Sequence, residues 1–133
     1  MKQGIQANFP HEQLRKYGCY FFGLLKWSEI AAGKSYSSDD IISLYGTFVR
    51  QGLMEEDCFL VNPIAILNVL CGKKFTDVTK AINKPLRDTF VVFLKKPGHS
   101  HFVLSHNDEI WDSLDPSRAG AGDYTIDSYR VFI

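Results

Sequence analysis

The amino-acid sequence predicts an α+β domain in which helices come first and an antiparallel sheet follows. Up to Pro85, apolar residues recur with the helical period of about 3.6 residues, between serine, asparagine and glycine residues typical of helix ends. After Pro85 the apolar runs become short and rich in β-branched and aromatic residues, as in strands. Helices and strands in separate halves of a chain favour an α+β fold over alternating α/β units.

Three helices are predicted in the first half. Cys19–Ala32 is apolar nearly all round, which is typical of a helix at the centre of a domain, and a glycine follows as a stop. The second helix lies between Ser37 and Gly52 and begins with serine and aspartate capping residues. The third follows the Asn62-Pro63 pair, an asparagine cap with proline in the first turn. Residues 76–84 are expected to add a turn or two of helix.

Four strands are predicted in the second half, and together they form an antiparallel meander. Each is a short apolar run next to turn-forming residues such as Pro97-Gly98 and Asn107-Asp108. The last strand follows a glycine-rich loop at Ala119–Gly122. The predicted strands are Thr89–Leu94, His101–Ser105, Glu109–Leu114 and Tyr129–Ile133.

Composition restricts the class of protein. The 133 residues suit one domain, residues 1–133, and 45% hydrophobic and 14% aromatic content is ample for a packed core. Fifteen basic and fifteen acidic side chains cancel, so no basic nucleic-acid-binding face is expected. The first residues do not resemble a signal peptide, and no apolar run approaches the roughly 20 residues of a membrane span. A cytoplasmic protein without a membrane partner is therefore expected.

The three cysteines favour neither a disulfide framework nor a zinc site, because their number is odd and their spacing is not that of metal ligands. No metal or cofactor is expected. Cys58 and Cys71 lie in apolar surroundings and are interpreted as core residues. Cys19 differs, because it stands where a buried helix begins.

Cys19 is the candidate nucleophile. The start of a helix offers unpaired backbone N–H groups and the positive end of the helix dipole, and both favour a thiolate. Gly18 would let a substrate backbone approach closely. The alternative interpretation is that Cys19 is a small buried apolar residue. Gln13, six residues earlier, could donate its amide N–H to a developing oxyanion, or it is an ordinary exposed glutamine.

His101 is the candidate base. If Asn107-Asp108 is a two-residue turn, His101 lies opposite Leu114, and Asp112 becomes its diagonal neighbour on the same face of the sheet. A carboxylate there would orient the imidazole and support its protonated form. Asp112 is the first choice for this role and Asp115 the second. The alternative is a half-buried strand histidine bonded to a backbone carbonyl.

These residues resemble the papain-like cysteine peptidase superfamily, and most of all its compact bacteriocin-leader (double-glycine) peptidase type with phage and plasmid relatives. The resemblance implies a papain-like fold, with N-terminal helices, the first starting at Cys19, packed on a C-terminal antiparallel meander. It implies Cys19 as nucleophile, His101 as base and acid, Asp112 as orienting group and Gln13 as oxyanion donor. The matching segments are Gln13–Cys19 with the apolar helix after it, His101–Leu104, Ile110–Pro116 and Ser128–Phe132.

The expected function is a cysteine hydrolase that cleaves a peptide or amide bond in a peptide or protein substrate. Two alternatives stay open. One is a catalytically inactive binding module of phage or mobile-element origin that acts on a host protein, because bulky residues follow Cys19 directly. The other is an acyltransferase, in which an amine or thiol replaces water as the acceptor.

Overall fold

A computed structural model describes residues 1–120 and 122–133, and its α+β architecture agrees with the sequence prediction. Of the predicted loop Ala119–Gly122, Ala121 lies outside the described residues. After a 3-10 turn at Ile5–Asn8, the helices are α1 (Glu12–Tyr17), α2 (Cys19–Ala32), α3 (Ser38–Arg50) and α4 (Pro63–Cys71). The strands are β1 (Val78–Ala81), β2 (Thr89–Lys96), β3 (His99–His106), β4 (Glu109–Trp111) and β5 (Thr125–Phe132).

The three predicted helices are confirmed, and their ends have the expected chemistry. Ser37 and Asp40 form a reciprocal capping box at the start of α3. The side chain of Asn62 accepts the backbone N–H of Ala65 at the start of α4. Gly33 and Gly72 end α2 and α4 in the left-handed conformation, which glycine adopts without a steric penalty.

The expectation that the first helix starts at Cys19 is wrong, because α1 precedes it. His11 caps α1 by accepting the backbone N–H of Leu14 through Nδ1 at 3.3 Å. This helix has only 6 residues and only Leu14 is buried, so it has no repeated apolar pattern by which the sequence could indicate it.

The expected helical turns at 76–84 are also wrong, because this segment contains strand β1. β1 pairs antiparallel with β5, and Thr79 lies opposite Val131. Val78 and Thr79 are β-branched residues that suit a strand, and the C-terminal strand offers them an edge to pair with. The sequence of this short polar segment does not indicate that it pairs with the distant strand β5.

The sheet is not a simple meander. Its five strands have the order β1-β5-β2-β3-β4, and every neighbouring pair is antiparallel. β2, β3 and β4 do form the predicted meander, but β5 then crosses back and pairs with β2 on the other side. The segment between β4 and β5 therefore has to cross the sheet, and this crossing segment holds part of the candidate site.

The two faces of the sheet are covered differently. Val91, Leu104 and Phe132 point toward the helices and share the main core with α2. Phe90, Val92, Leu94, Val103 and Tyr129 form a smaller cluster on the other face, where Ala119 and Tyr124 of the crossing segment pack on them. Within residues 1–120 and 122–133, none of the helices is both long and apolar enough to cross a membrane.

Candidate active site

Cys19 is the first residue of α2 and lies half-buried at the wall of a cavity of about 460 Å³. α1 and α2 meet at Gly18, which ends one helix and caps the next. A Cβ atom at Gly18 would lie 2.5 Å from the carbonyl oxygen of Leu14 and 3.1 Å from the ring of Phe22. Gly18 is therefore needed for the close junction of two helices, and the prediction that it admits a substrate backbone has no support in this geometry.

His101 lies on β3 and is 2% exposed. β4 is short, and its pairing with β3 ends where Leu104 lies opposite Trp111. The predicted two-residue turn at Asn107-Asp108 and its register are confirmed. Asp112 follows β4 directly, and its Oδ1 lies 2.6 Å from Nε2 of His101.

Asp112 is fully buried and is held by several donors besides His101. Its Oδ1 accepts the backbone N–H of Leu114 at 2.9 Å. Its Oδ2 accepts the backbone N–H of Arg118 at 2.7 Å and the hydroxyl of Ser117 at 3.0 Å. A carboxylate with this many partners is oriented before any ligand binds.

The electrostatics of Asp112 follow from these contacts. Burial alone would raise the pKa of Asp112, but the hydrogen bond and charge of His101, together with the N–H groups of Leu114 and Arg118, hold that pKa below its usual range. Asp112 is therefore a carboxylate at neutral pH. Asp115, the second choice, is exposed and lies near Gly4, so the structure brings Asp112 and not Asp115 to the imidazole.

The Cys19 side chain lies beside His101, near enough for its thiol to act on the pKa of the imidazole. Since Nε2 of His101 faces Asp112, Nδ1 is the ring nitrogen left for the thiol. Burial alone would lower the pKa of His101, but the hydrogen bond to Asp112, the neighbouring Cys19 thiol and the negative charge on both partners raise that pKa to about 9. At neutral pH this imidazole therefore carries a proton that it can donate.

The cavity adjoins Cys19 and is also lined by Ser100 and Phe102, the residues on either side of His101 in the chain. Aromatic side chains form part of its wall: Tyr20 stacks on Phe102 with ring centroids 4.3 Å apart. Arg130 and Lys16 contribute positive charges, and Asp57 contributes a negative one. The sulfur of Cys19 thus contacts both a proton-donating group and a space in which a ligand could bind.

Gln13 lies half-buried on α1 and is not among the residues that line the cavity. Its backbone carbonyl accepts the thiol of Cys58 at 3.6 Å. Gln13 and Cys19 are joined through the tight turn at Gly18, but the structure does not bring the Gln13 amide into a hydrogen bond with any described residue. Its role as an oxyanion donor stays a prediction.

Gln6 is a residue of this site that sequence reasoning missed. It is 1% exposed, and its amide nitrogen donates to the carbonyl of Arg15 at 3.0 Å. Its amide oxygen accepts the hydroxyl of Ser113 at 2.6 Å. Gln6 thus ties α1, which leads to Cys19, to the residue after Asp112. The sequence contains no signal for this contact, because it joins segments 107 residues apart.

The protein is thus an α+β protein in which a cysteine at a helix start lies beside a strand histidine, and that histidine is hydrogen-bonded to a buried carboxylate. The chain belongs to the family described as "Protein of unknown function, DUF261", which it matches over residues 1–133. No curated protein and no solved structure gives a significant match.

Proposed function

We propose that this protein is a cysteine hydrolase that cleaves a peptide or amide bond. One observation supports the proposal above all: a thiol, an imidazole and a buried carboxylate are joined in that order, and the thiol borders a cavity. Nucleophilic catalysis by cysteine requires a base beside the thiol and a third group that orients the base. The same geometry is what a papain-like site would need, and that likeness is part of the proposal.

In the proposed mechanism, the Cys19 thiolate attacks the carbonyl carbon of the scissile bond. The backbone N–H of Cys19 has no partner within its own helix, so it can donate to the oxyanion that forms, together with the Gln13 amide. The His101 imidazolium gives its proton to the leaving amine, which releases the first product and leaves a thioester on Cys19. His101 then takes a proton from water, and the hydroxide attacks the thioester carbonyl carbon. The C–S bond breaks, which releases the second product as a carboxylic acid and regenerates the Cys19 thiolate beside the His101 imidazolium.

Asp112 remains ionised throughout. Its bond to Nε2 keeps Nδ1 directed at Cys19, and its charge stabilises the imidazolium. Because Asp112 is held by backbone N–H groups, it can perform this role without reorganising during the reaction.

The first test is the reactivity of the thiol. The folded protein is treated with iodoacetamide at pH 7, and the labelling rate of each cysteine is measured by mass spectrometry, with glutathione as the reference thiol. We expect Cys19 to react faster than glutathione, while buried Cys58 and Cys71 react more slowly. If Cys19 is no faster than glutathione, the activated thiol is absent and the proposal fails.

The second test is cleavage. A peptide library made from a digested bacterial proteome is incubated with the protein, and new termini are identified by mass spectrometry. Cys19→Ala is the matched control, because it removes only the sulfur. We expect new termini with the unmodified protein alone. A reactive Cys19 without any new termini would contradict the hydrolase and favour the acyltransferase, whereas an unreactive Cys19 favours the binding module.

A further inference from the structure

The positive charge of Arg130 lies in the wall of the same cavity as Cys19. Arg130 is on β5, opposite Val91 of β2, and both residues lie on the helix-facing side of the sheet. Arg130 is half-buried, unlike the exposed lysines of the molecular surface. The residue therefore contacts neighbouring side chains of the sheet and also borders the cavity.

Neighbouring side chains of the sheet hold the guanidinium of Arg130 in place. Its central carbon lies 5.3 Å from the ring centroid of Phe93 and 5.8 Å from that of Phe102. Nη1 donates to the hydroxyl of Ser128 at 2.8 Å, and that hydroxyl donates to Asp127 at 2.8 Å. Ser128 is fully buried, so the orientation of Arg130 is set by the sheet.

Among residues 1–120 and 122–133, Arg130 forms no direct salt bridge, for which a carboxylate oxygen within 4.0 Å would be needed. Asp127 forms its salt bridge with Lys95, at 3.8 Å, and is linked to Arg130 only through Ser128 and at longer range. The other cation of the cavity, Lys16, is paired with Glu12 at 2.7 Å in solvent. Arg130 is thus a pre-oriented donor whose remaining N–H groups are available to a ligand.

The acidic residue of the cavity lies on a different wall. Asp57 belongs to the loop between α3 and α4, and its carboxylate accepts the backbone N–H of Phe59 at 3.1 Å. In the cavity, the cation Arg130 thus lies on the sheet, whereas the anion Asp57 lies on the loop. An acidic group that approaches the sheet would form a charge-assisted hydrogen bond with the planar guanidinium.

We propose that Arg130 selects substrates by binding a carboxylate close to the bond that Cys19 attacks, in either an acidic side chain or a C-terminal carboxylate. This inference rests on the proposed function, since it assumes that the cavity holds the substrate of Cys19. The substrates are then acidic peptides, which carry such a carboxylate. The rings of Phe93 and Phe102 and the hydroxyl of Ser128 limit where the guanidinium can go, so the carboxylate is recognised at one position.

The test uses reactive probes that label Cys19. Iodoacetyl derivatives of glycine, β-alanine and 4-aminobutyrate carry a terminal carboxylate at increasing distance, and each is compared with its primary amide. Iodoacetyl-aspartate and iodoacetyl-glutamate, both as C-terminal amides, are compared with the asparagine and glutamine analogues. The first series represents a C-terminal carboxylate and the second an acidic side chain. The labelling rate of Cys19 is measured over a range of probe concentrations.

We expect at least one acid to label Cys19 roughly tenfold faster than its amide, as one charge-assisted hydrogen bond allows. Arg130→Gln should abolish this preference, so that each acid and its amide label Cys19 at rates within about twofold of each other. Arg130→Lys, which keeps the charge but not the planar fork, should retain part of it. Lys95→Gln is the matched control, because it removes a nearby positive charge that does not line the cavity.

An acid preference that persists in Arg130→Gln, or the lack of any preference in the unmodified protein, would overturn the inference. If both Arg130 variants slow the labelling of Cys19 equally for acids and amides, the inference is also overturned, because Arg130 then supports the fold and does not select the ligand. A failure of the proposed function looks different: Cys19 then reacts slowly with acids and amides alike, while their ratio still reports on Arg130.

Discussion

The cavity is bordered by two thiols, and their surroundings are opposite. Cys19 begins a helix and lies beside His101, whose pKa of about 9 keeps the imidazole protonated at neutral pH. Cys58 lies in a loop with a left-handed backbone, φ 68°, and its thiol donates to the carbonyl oxygen of Gln13. Burial, followed by the negative charges of Cys19 and Asp57, raises the pKa of Cys58 to about 12. Cys58 is therefore held as a neutral donor.

This difference shows that the surrounding groups, not the residue type, assign the chemistry. A carbonyl oxygen next to a thiol favours the proton staying on sulfur, whereas an imidazolium favours its loss. Both residues border the same space, but Cys58 is buried whereas Cys19 is half-buried, so a reagent that enters the cavity should reach Cys19 more easily. The contribution of His101 and Asp112 is therefore measured by comparing Cys19 in the unmodified protein with Cys19 in variants of these two residues.

The largest expected effect comes from His101→Gln, which removes the imidazole. Peptide cleavage should fall by about 10²- to 10⁴-fold, the usual contribution of a general acid and base. The iodoacetamide rate of Cys19 should fall to that of glutathione, while that of Cys58 stays the same. Both rates come from one labelling experiment, analysed by mass spectrometry. A Cys19 that keeps its fast rate in this variant would refute the thiol–imidazole pairing.

Asp112→Asn is expected to have the next largest effect. It removes the charge that supports the imidazolium, so the pKa of His101 should fall from about 9. Cleavage should slow less than in His101→Gln, because the imidazole remains but is no longer held in one orientation by a charged partner. NMR titration of His101 and the pH profile of cleavage would measure both changes. Asp115→Asn is the control, because that exposed carboxylate does not contact His101.

Stability should depend on pH through the same residue. The folded pKa of His101, about 9, lies above its ordinary value of 6.5, so its stabilising effect is complete below pH 6.5 and is lost as the pH rises through 9. The loss should not exceed about 3 kcal/mol. Urea unfolding at several pH values would measure it. His101→Gln should flatten this dependence, and an equally steep curve in that variant would assign the effect to another group.

Gly18→Ala tests the junction that positions Cys19. The added Cβ would collide with the backbone carbonyl of Leu14, so the free energy of unfolding should decrease by about 1–3 kcal/mol. Gly23→Ala is the matched control within α2, because a Cβ there meets nothing within 4 Å. It should stabilise the helix by about 0.5–1 kcal/mol. Thermal unfolding of both variants checks the prediction; a neutral Gly18→Ala would contradict the close junction.

The smallest effect is expected from Cys58→Ala. This variant loses one weak thiol hydrogen bond, so the unfolding free energy should change by less than about 1 kcal/mol. The labelling rate of Cys19 should not change. If the fast-reacting thiol disappears with Cys58, the roles assigned to the two cysteines are reversed.

The sequence predicted those elements whose local chemistry is strong. The cap at Ser37, the Asn62-Pro63 pair and the two-residue turn at Asn107-Asp108 act within a few residues, and all three occur in the structure. Strand β1 and helix α1 were missed because each is short. β1 depends on pairing with β5, more than 40 residues away in the chain, which no local pattern records.

In the candidate site, too, local relations were predicted and long-range contacts were not. The diagonal relation between His101 and Asp112 followed from strand alternation and a turn length, and the hydrogen bond between them agrees with it. Neither the anchoring of Asp112 by the crossing segment nor the tie through Gln6 could be predicted. Both depend on how distant segments pack. The catalytic roles of Cys19, His101, Asp112 and Gln13 stay predictions until the labelling and cleavage experiments are done.

Sequence alone determined the α+β class, the helix that begins at Cys19 and the strand that presents His101, since periodicity, capping and turn chemistry act over short distances. Only the tertiary structure decided that β5 returns to the centre of the sheet. That return folds the crossing segment so that the backbone N–H of Arg118 holds Asp112, and it sets Arg130 beside the cavity. The physical reason is that strand pairing and burial act between residues that are close in space, whatever their separation in the chain.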